Sequence, residues 1–189
     1  IGVKSNLSTF NNQVKNIQQE KFVFNSRLKR NIITSNKHVK SWLQEYDSAQ
    51  EKGNIFHLIM SEIYSLKDVS LVLNKYYELG EISFEKKEKL KEIIYKITED
   101  KELKEFYNPK YKSFNEREII EKNGKSFIPD RIVFLNEKDI VLIDYKTGTK
   151  KSKYIKQLKD YEIKLNKIGL NTIKKIIIYV SDDIGIECF

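Results

Sequence analysis

I-P-D-R-I-V-F-L-N-E-K-D-I-V-L-I-D-Y-K-T-G, residues 128–148, is the stretch around which the rest of the chain is organised. Over 139–146 it predicts a strand. Side chains alternate across a strand, so Ile140, Leu142, Asp144 and Lys146 project one way and Val141, Ile143 and Tyr145 the other. Both faces are apolar up to Asp144, as expected of a strand covered on both sides. Its C-terminal end nonetheless carries an acid and an amine on one side, two residues apart, and burial alone does not call for such a pair. Asp130 opens the preceding apolar run Ile132-Val133-Phe134. The short Asn136-Glu137-Lys138 link predicts a hairpin that brings the two aspartates toward each other.

Beyond Gly148, Tyr154, Ile155, Leu158, Tyr161, Leu165 and Ile168 recur at helical spacing, and Gly169 stops the helix. Gln157 and Tyr161 lie one turn apart and can reach the same spot. Lys150, Lys151, Lys153, Lys156 and Lys159 cluster at the start of this helix, where they can hold phosphates or simply face solvent. Residues 173–180 read as an apolar strand and 184–189 as a short edge strand. A strand, a helical crossover and a second strand predict parallel neighbours in one mixed sheet. Upstream, period-two patterning over 114–121 and 126–135 around Asn123-Gly124 predicts a hairpin. Glu116 and Glu118 share a face of its first strand, and spacing does not separate them from each other or from a plain exposed strand end.

The earlier half reads as helical. Val39, Trp42, Leu43 and Tyr46 predict a helix over 37–46 with Asn36 as its cap, and Ile55, Phe56, Ile59, Ile63 and Leu66 predict another over 51–66. Further helices are expected over 68–79, 83–97 and 100–106, with Gly80 as a stop and Ser83 as an N-cap. The first 35 residues are polar and amide-rich, with Phe22, Val23, Phe24 and Leu28 as their main apolar content. They suggest a strand or helix that packs on the domain, or the remnant of a linker. His57 sits off the centre of its helix's apolar stripe, one turn after Gly53. Such a histidine is commonly a structural one satisfied by a hydrogen bond. His38 reads as surface.

Composition bounds the function. A chain of 189 residues with 40% hydrophobic content suffices for one domain with a full core. The net charge of +8 and a pI near 9.3 point to a polyanionic partner, nucleic acid or an acidic membrane surface, although a Lys-rich composition also follows from genomic bias. A single cysteine, Cys188, excludes an internal disulfide and any cysteine-ligated zinc or iron–sulfur site, so a reducing compartment is the default. The sequence has no run of 18 apolar residues and no signal-peptide pattern, which predicts a soluble, cytoplasmic protein without a membrane partner. Gly124-Lys125-Ser126 is not a phosphate-binding loop, because that pattern needs a glycine where Ile119 stands. The chain alone is therefore not expected to hydrolyse ATP. It begins with Ile1, as expected of a piece cut from something longer, or of tagging or processing.

Two converging carboxylates make a hard oxygen site suited to magnesium or manganese, and an ammonium beside it can orient water or steady an anionic transition state. A surface Asp–Lys pair would account for D-x-K by itself. P-D at 129–130 followed by D-Y-K-T-G at 144–148, however, resembles the nuclease motif of the PD-(D/E)XK superfamily, specifically the RecB-like nuclease domains at the C-termini of bacterial DNA-repair helicase-nucleases. G-N-I-F-H at 53–57 is similar to the family's G-x-x-x-H, N-E-R-E-I at 115–119 to its glutamate-bearing strand, with Glu116 the better match, and Q-x-x-x-Y at 157–161 to its remaining motif. The likeness runs from about Gly53 to the C-terminus. Some RecB-like relatives carry a four-cysteine cluster that this chain cannot form.

The resemblance implies an α/β (mixed α+β) fold: a restriction-endonuclease-like core of a mixed four- to five-stranded sheet flanked by helices, with a helical N-terminal part. One nuclease domain is expected over 1–189, with an N-terminal extension over 1–50, a helical part carrying His57 over 51–106 and the sheet core over 107–189. The implied activity is Mg2+-dependent hydrolysis of DNA, with Mn2+ able to substitute. The implied action is exonucleolytic rather than endonucleolytic, in DNA repair or recombination, beside a helicase domain of the same full-length chain. His57, Asp130, Asp144 and the backbone carbonyl of Tyr145 are the implied metal ligands. Asp130, Asp144, Lys146, Gln157, Tyr161 and Glu116 are the implied catalytic set, with Gln157 and Tyr161 at the mouth of the site. The competing reading is a catalytically silent nuclease-like module that binds DNA ends or a partner subunit. A third, an RNA-directed or structural basic module, rests on charge alone.

Overall fold

A computed structural model describes residues 24–26, 49–121, 123–180 and 184–189. The helix expected over 37–46, with His38, lies outside these residues. In chain order the elements are β1 (Phe24–Ser26), α1 (Ala49–Glu62), α2 (Asp68–Glu78), α3 (Phe84–Glu99), a 3-10 turn (Lys104–Tyr107), β2 (Lys112–Asn115), β3 (Arg117–Ile120), β4 (Ser126–Phe127), β5 (Arg131–Phe134), β6 (Asp139–Thr147), α4 (Ser152–Lys167), β7 (Asn171–Val180) and β8 (Gly185–Cys188).

The fold is mixed α/β. A five-stranded sheet in the order β2-β5-β6-β7-β8 is its centre, and a small sheet, β1-β3-β4, stands beside it. Strands β6 and β7 are parallel, joined through α4, and every other pairing in the large sheet is antiparallel. The alternation read along β6 sorts its side chains into two cores. Val141, Ile143 and Tyr145 join Ile176 and Ile178 of β7 and the apolar stripes of α1–α3. Ile140 and Leu142 join Ile177, Leu158 and Leu165 of α4, and Ile119 and Phe127 of the small sheet. Two covered faces explain a strand that is apolar on both sides.

Local signals account for most boundaries. Ile55, Phe56, Ile59 and Met60 of α1 and Ile63 just beyond it are all buried, whereas Leu66 at the end of the expected stripe is 38% exposed because the helix has already ended. Asp68 closes the bend into α2 by accepting from the Tyr64 and Ser65 amides. Ser83 Oγ accepts from the Lys86 amide at 3.2 Å as the N-cap of α3.

Two expectations change. The helix expected over 100–106 is reduced to a turn and the short 3-10 segment, since Asp100 Oδ1 diverts the Glu102 amide and Asn108, before Pro109, is extended at φ −78° and ψ 129°. The single hairpin expected around Asn123-Gly124 is cut into two pairs. Glu116, at φ 47°, interrupts its first strand, so β2 pairs with β5 in the large sheet while β3 pairs with β4 in the small one. The turn itself is where it was expected, with Gly124 at φ 79° and its amide on the Glu121 carbonyl.

Candidate metal centre

Three strand ends meet at one rim of the large sheet: the C-terminal ends of β2 and β6 and the N-terminal end of β5. Helix α1 lies over this rim, with Gly53 facing the end of β6. A Cβ at Gly53 would stand 2.7 Å from Oγ1 of Thr147, the last residue of β6. One turn later His57 is held at the rim, its ring edge-on to Tyr145 at 6.2 Å between centroids.

Glu116 follows β2, and its left-handed backbone costs about 1–2 kcal/mol relative to the right-handed form. Its amide donates to the Asp130 carbonyl at 2.9 Å, which fixes the two acidic residues to each other through the backbone. Asp130 Oδ2 accepts from the Tyr145 amide at 2.7 Å, so β6 also aims that carboxylate. His57 Nδ1 then stands 3.4 Å from Asp130 Oδ2 and 3.5 Å from Glu116 Oε1. One donor atom from each of the three residues lies within 4.8 Å of the others. Burial draws the His57 pKa down, but the adjoining Asp130 and Glu116 carboxylates outweigh it and hold it up at about 10. The metal-free imidazole is thus an imidazolium between two acids, and a cation binding there must displace its proton.

Asp144 is only 1% exposed. Lys146 Nζ is 2.7 Å from its Oδ2 in an ion pair, and apart from that ammonium neither carboxylate oxygen has a partner among the described residues. Burial, followed by the charge of Asp130, pushes the Asp144 pKa up to about 7 against the pull of Lys146 and His57. Burial lowers the Lys146 pKa, but Asp144 and Asp130 more than offset this and leave it raised. Lys146 also lies over the Tyr154 ring, 5.1 Å from its centroid.

Gln157 Nε2 donates to Tyr161 Oη at 2.9 Å, and Tyr161 donates to the Ile128 carbonyl at 3.3 Å while stacking on Phe127. That pair therefore steadies the backbone just ahead of Asp130. Burial is the main cause of the raised Tyr161 pKa, with the charges of Asp130 and Asp144 adding to it.

The structure brings His57, Asp130 and Glu116 into one group and sets Asp144 beside it with Lys146. For Tyr145 it fixes the amide, on Asp130. It also separates the two glutamates: Glu118 accepts from Ser126 in the small sheet, away from the group that Glu116 joins. Of the lysine cluster, Lys150 is bonded to Glu187 at 2.6 Å and Lys153 lies over Tyr154. Sequence reasoning missed Asn115 and Arg131, both buried directly beside the acids. The available signal for Arg131 was a charged residue opening the apolar run Ile132-Val133-Phe134, whereas K-S-F-N in β2 offers no such contrast for Asn115. No protein-family model matches the chain, and no curated protein matches it.

One imidazole nitrogen and two carboxylates, next to the buried Asp144–Lys146 ion pair, form a group that could hold a metal ion. Among the described residues no helix is long and apolar enough to cross a membrane.

Proposed function

We propose that this chain is a metal-dependent DNA nuclease of the RecB-like, PD-(D/E)XK kind. The observation that carries the reading is the convergence at one sheet rim of His57, Glu116 and Asp130 with the Asp144–Lys146 pair, from four separate segments of the chain. His57, Glu116 and Asp130 would hold the cation, with Asp144 next to them. Magnesium or manganese would supply positive charge that acidifies water and offsets the charge of the scissile phosphate. Lys146 orients the attacking water or stabilises the charge that builds on the phosphate. Asp144 holds the lysine ammonium in place, and the Gln157–Tyr161 pair fixes the chain leading into Asp130. Lys151 and Lys153 offer phosphate contacts at the start of α4. The resemblance in the motifs further proposes exonucleolytic action beside a helicase motor in the same full-length chain, in DNA repair.

Incubation with single- and double-stranded DNA, with and without magnesium or manganese, tests the reading. Cleavage is expected only with metal. Lys146→Ala should lower it by at least about 100-fold while DNA and manganese binding stay near those of the parent, because a transition-state donor is removed and the ligands are kept. Undiminished cleavage by Lys146→Ala overturns the assignment. An absence of metal-dependent cleavage by the parent, joined to its natural neighbouring domains, favours instead a module that binds DNA ends or a partner subunit.

A further inference from the structure

We infer that Asn115 and Arg131 form a buried clamp that sets the spacing of the three cation-binding side chains, a positioning role that rests on the metal-site reading above. Each is the chain neighbour of an acid in the cluster: Asn115 precedes Glu116 and Arg131 follows Asp130. The two stand opposite each other in the β2–β5 register, and Arg131 Nη1 donates to Asn115 Oδ1 at 3.0 Å.

Both side chains grip the end of the helix that carries the third member. Asn115 Nδ2 lies 3.4, 3.2 and 3.1 Å from the carbonyl oxygens of Met60, Ser61 and Ile63. Arg131 Nη1 donates to the Ile63 carbonyl at 2.9 Å, and Nη2 donates to those of Tyr64 at 3.0 Å and Phe106 at 2.8 Å. Met60 and Ser61 carry two of the last carbonyls of α1, and Ile63 and Tyr64 follow directly in the chain, so the clamp holds the helix end and its exit together. His57 sits less than one turn upstream of Met60, so the clamp ties its backbone to the backbones of Glu116 and Asp130. The circuit closes through the rings. The Arg131 guanidinium covers Tyr107 at 4.4 Å, Tyr107 shares a 2.7 Å hydrogen bond with Tyr145 Oη, and the Tyr145 amide holds Asp130.

A stability role alone accounts poorly for this choice of residue. Arg131 is 1% exposed, its hydrogen bonds go to neutral oxygens, and its Nε has no partner. A buried charge of that kind is weak support for a fold, and a glycine or water would cap the helix more cheaply. What the guanidinium adds is a rigid planar fork that fixes the backbones at Ile63–Tyr64 and Phe106 and the Asn115 side chain in one geometry, which the flexible ammonium of lysine cannot do.

Manganese titration by calorimetry tests the clamp without reference to cleavage. The parent, Arg131→Lys, Asn115→Ala and a control, Leu165→Ala, are compared at a temperature where their circular dichroism spectra coincide. Leu165 is fully buried in the core on the other face of the sheet, so its loss destabilises the protein without touching the clamp. Both clamp variants should bind manganese about 10- to 100-fold more weakly, while the control stays within about twofold of the parent. Parent-like affinity in the clamp variants overturns the inference and leaves Asn115 and Arg131 as fold stabilisers. Equal weakening in the control overturns it as well. Should Arg131→Lys fail to fold, Asn115→Ala decides alone, since it leaves the guanidinium its three carbonyl partners. A parent that binds no manganese defeats the metal-site reading itself, which the variants' affinities cannot do.

Discussion

At the start of β6, Asp139 accepts hydrogen bonds from Asn136 Nδ2 at 2.7 Å and Asn171 Nδ2 at 2.8 Å, and Asn136 and then Asn171 hold its pKa below the usual carboxylate range. Near the other end of the strand, the buried Asp144 is paired with the Lys146 ammonium at 2.7 Å, and burial, followed by the charge of Asp130, holds its pKa at about 7, above that range. Each partner of Asp139 lies in a turn or at a strand start, so its carboxylate works as local stitching for the β5–β6 link and the start of β7. Asp144 does the opposite. Its desolvation is a standing cost to the metal-free fold, of the kind retained where a ligand makes use of it. One strand thus carries an acid tied into its turn by two amides and a buried acid paired with an ammonium, and it is their surroundings, not their sequence neighbours, that set them apart.

The strongest way to break that distinction is Asp144→Asn, which should reduce cleavage by at least about 100-fold and weaken manganese binding. Full activity in this variant would make Asp144 as structural as Asp139. Next in size is the response to pH. Asp144 is raised from 3.8 to about 7 and His57 from 6.5 to about 10, so protons occupy the metal-free site and must leave when a cation enters. The sign is the same for both groups: each binds protons more tightly when folded, so the metal-free fold loses stability as pH rises, through Asp144 up to about 7 and through His57 up to about 10. Manganese affinity, and the rise in Tm that manganese causes, should therefore grow from about pH 6 to about pH 9, at no more than about tenfold in affinity per unit for each proton displaced. A flat profile would mean that these acids and the histidine are not the ligands.

Smaller still is the effect of the lysines. Replacing Lys150, Lys151 and Lys153 by glutamine should flatten the salt dependence of DNA binding by about 0.7 to 0.9 in slope for each phosphate no longer neutralised. Lys150 should contribute least, since Glu187 already holds it at 2.6 Å. An unchanged slope in a filter-binding series would leave all three as a solvated helix start. The smallest change belongs to Asp139→Asn, which should barely move the midpoint of a denaturant titration and leave manganese binding untouched, sharpening the contrast with Asp144.

The core was legible because its signal is local. Alternation along β6 and β7, and the helical stripes of α1 and α4, need only nearest neighbours, and the parallel crossover follows from their order. The small sheet was not legible, because the break that creates it depends on a left-handed residue at Glu116, and nothing in N-E-R-E-I prescribes a positive φ at a glutamate. The same break explains why spacing could not separate Glu116 from Glu118: an unbroken strand would have put them on one face. His57, Asp130, Asp144, Lys146, Gln157 and Tyr161 stood out through short motifs, and the structure gathers them at or beside one rim. Asn115 and Arg131 did not, because their partners are main-chain carbonyls 25 to 68 residues distant, and any sequence supplies carbonyls.

The 2.7 Å that separates Thr147 Oγ1 from the place a Cβ would take on Gly53 works as a mechanical tolerance. Helix α1 rests on the tip of β6 like a lever on its fulcrum, with His57 at the working end. A single added methyl group would first meet that one hydroxyl, and because Thr147 is half-exposed the hydroxyl can swing aside about χ1, so the fit of helix on strand is set by a side-chain rotamer before it is set by the backbone.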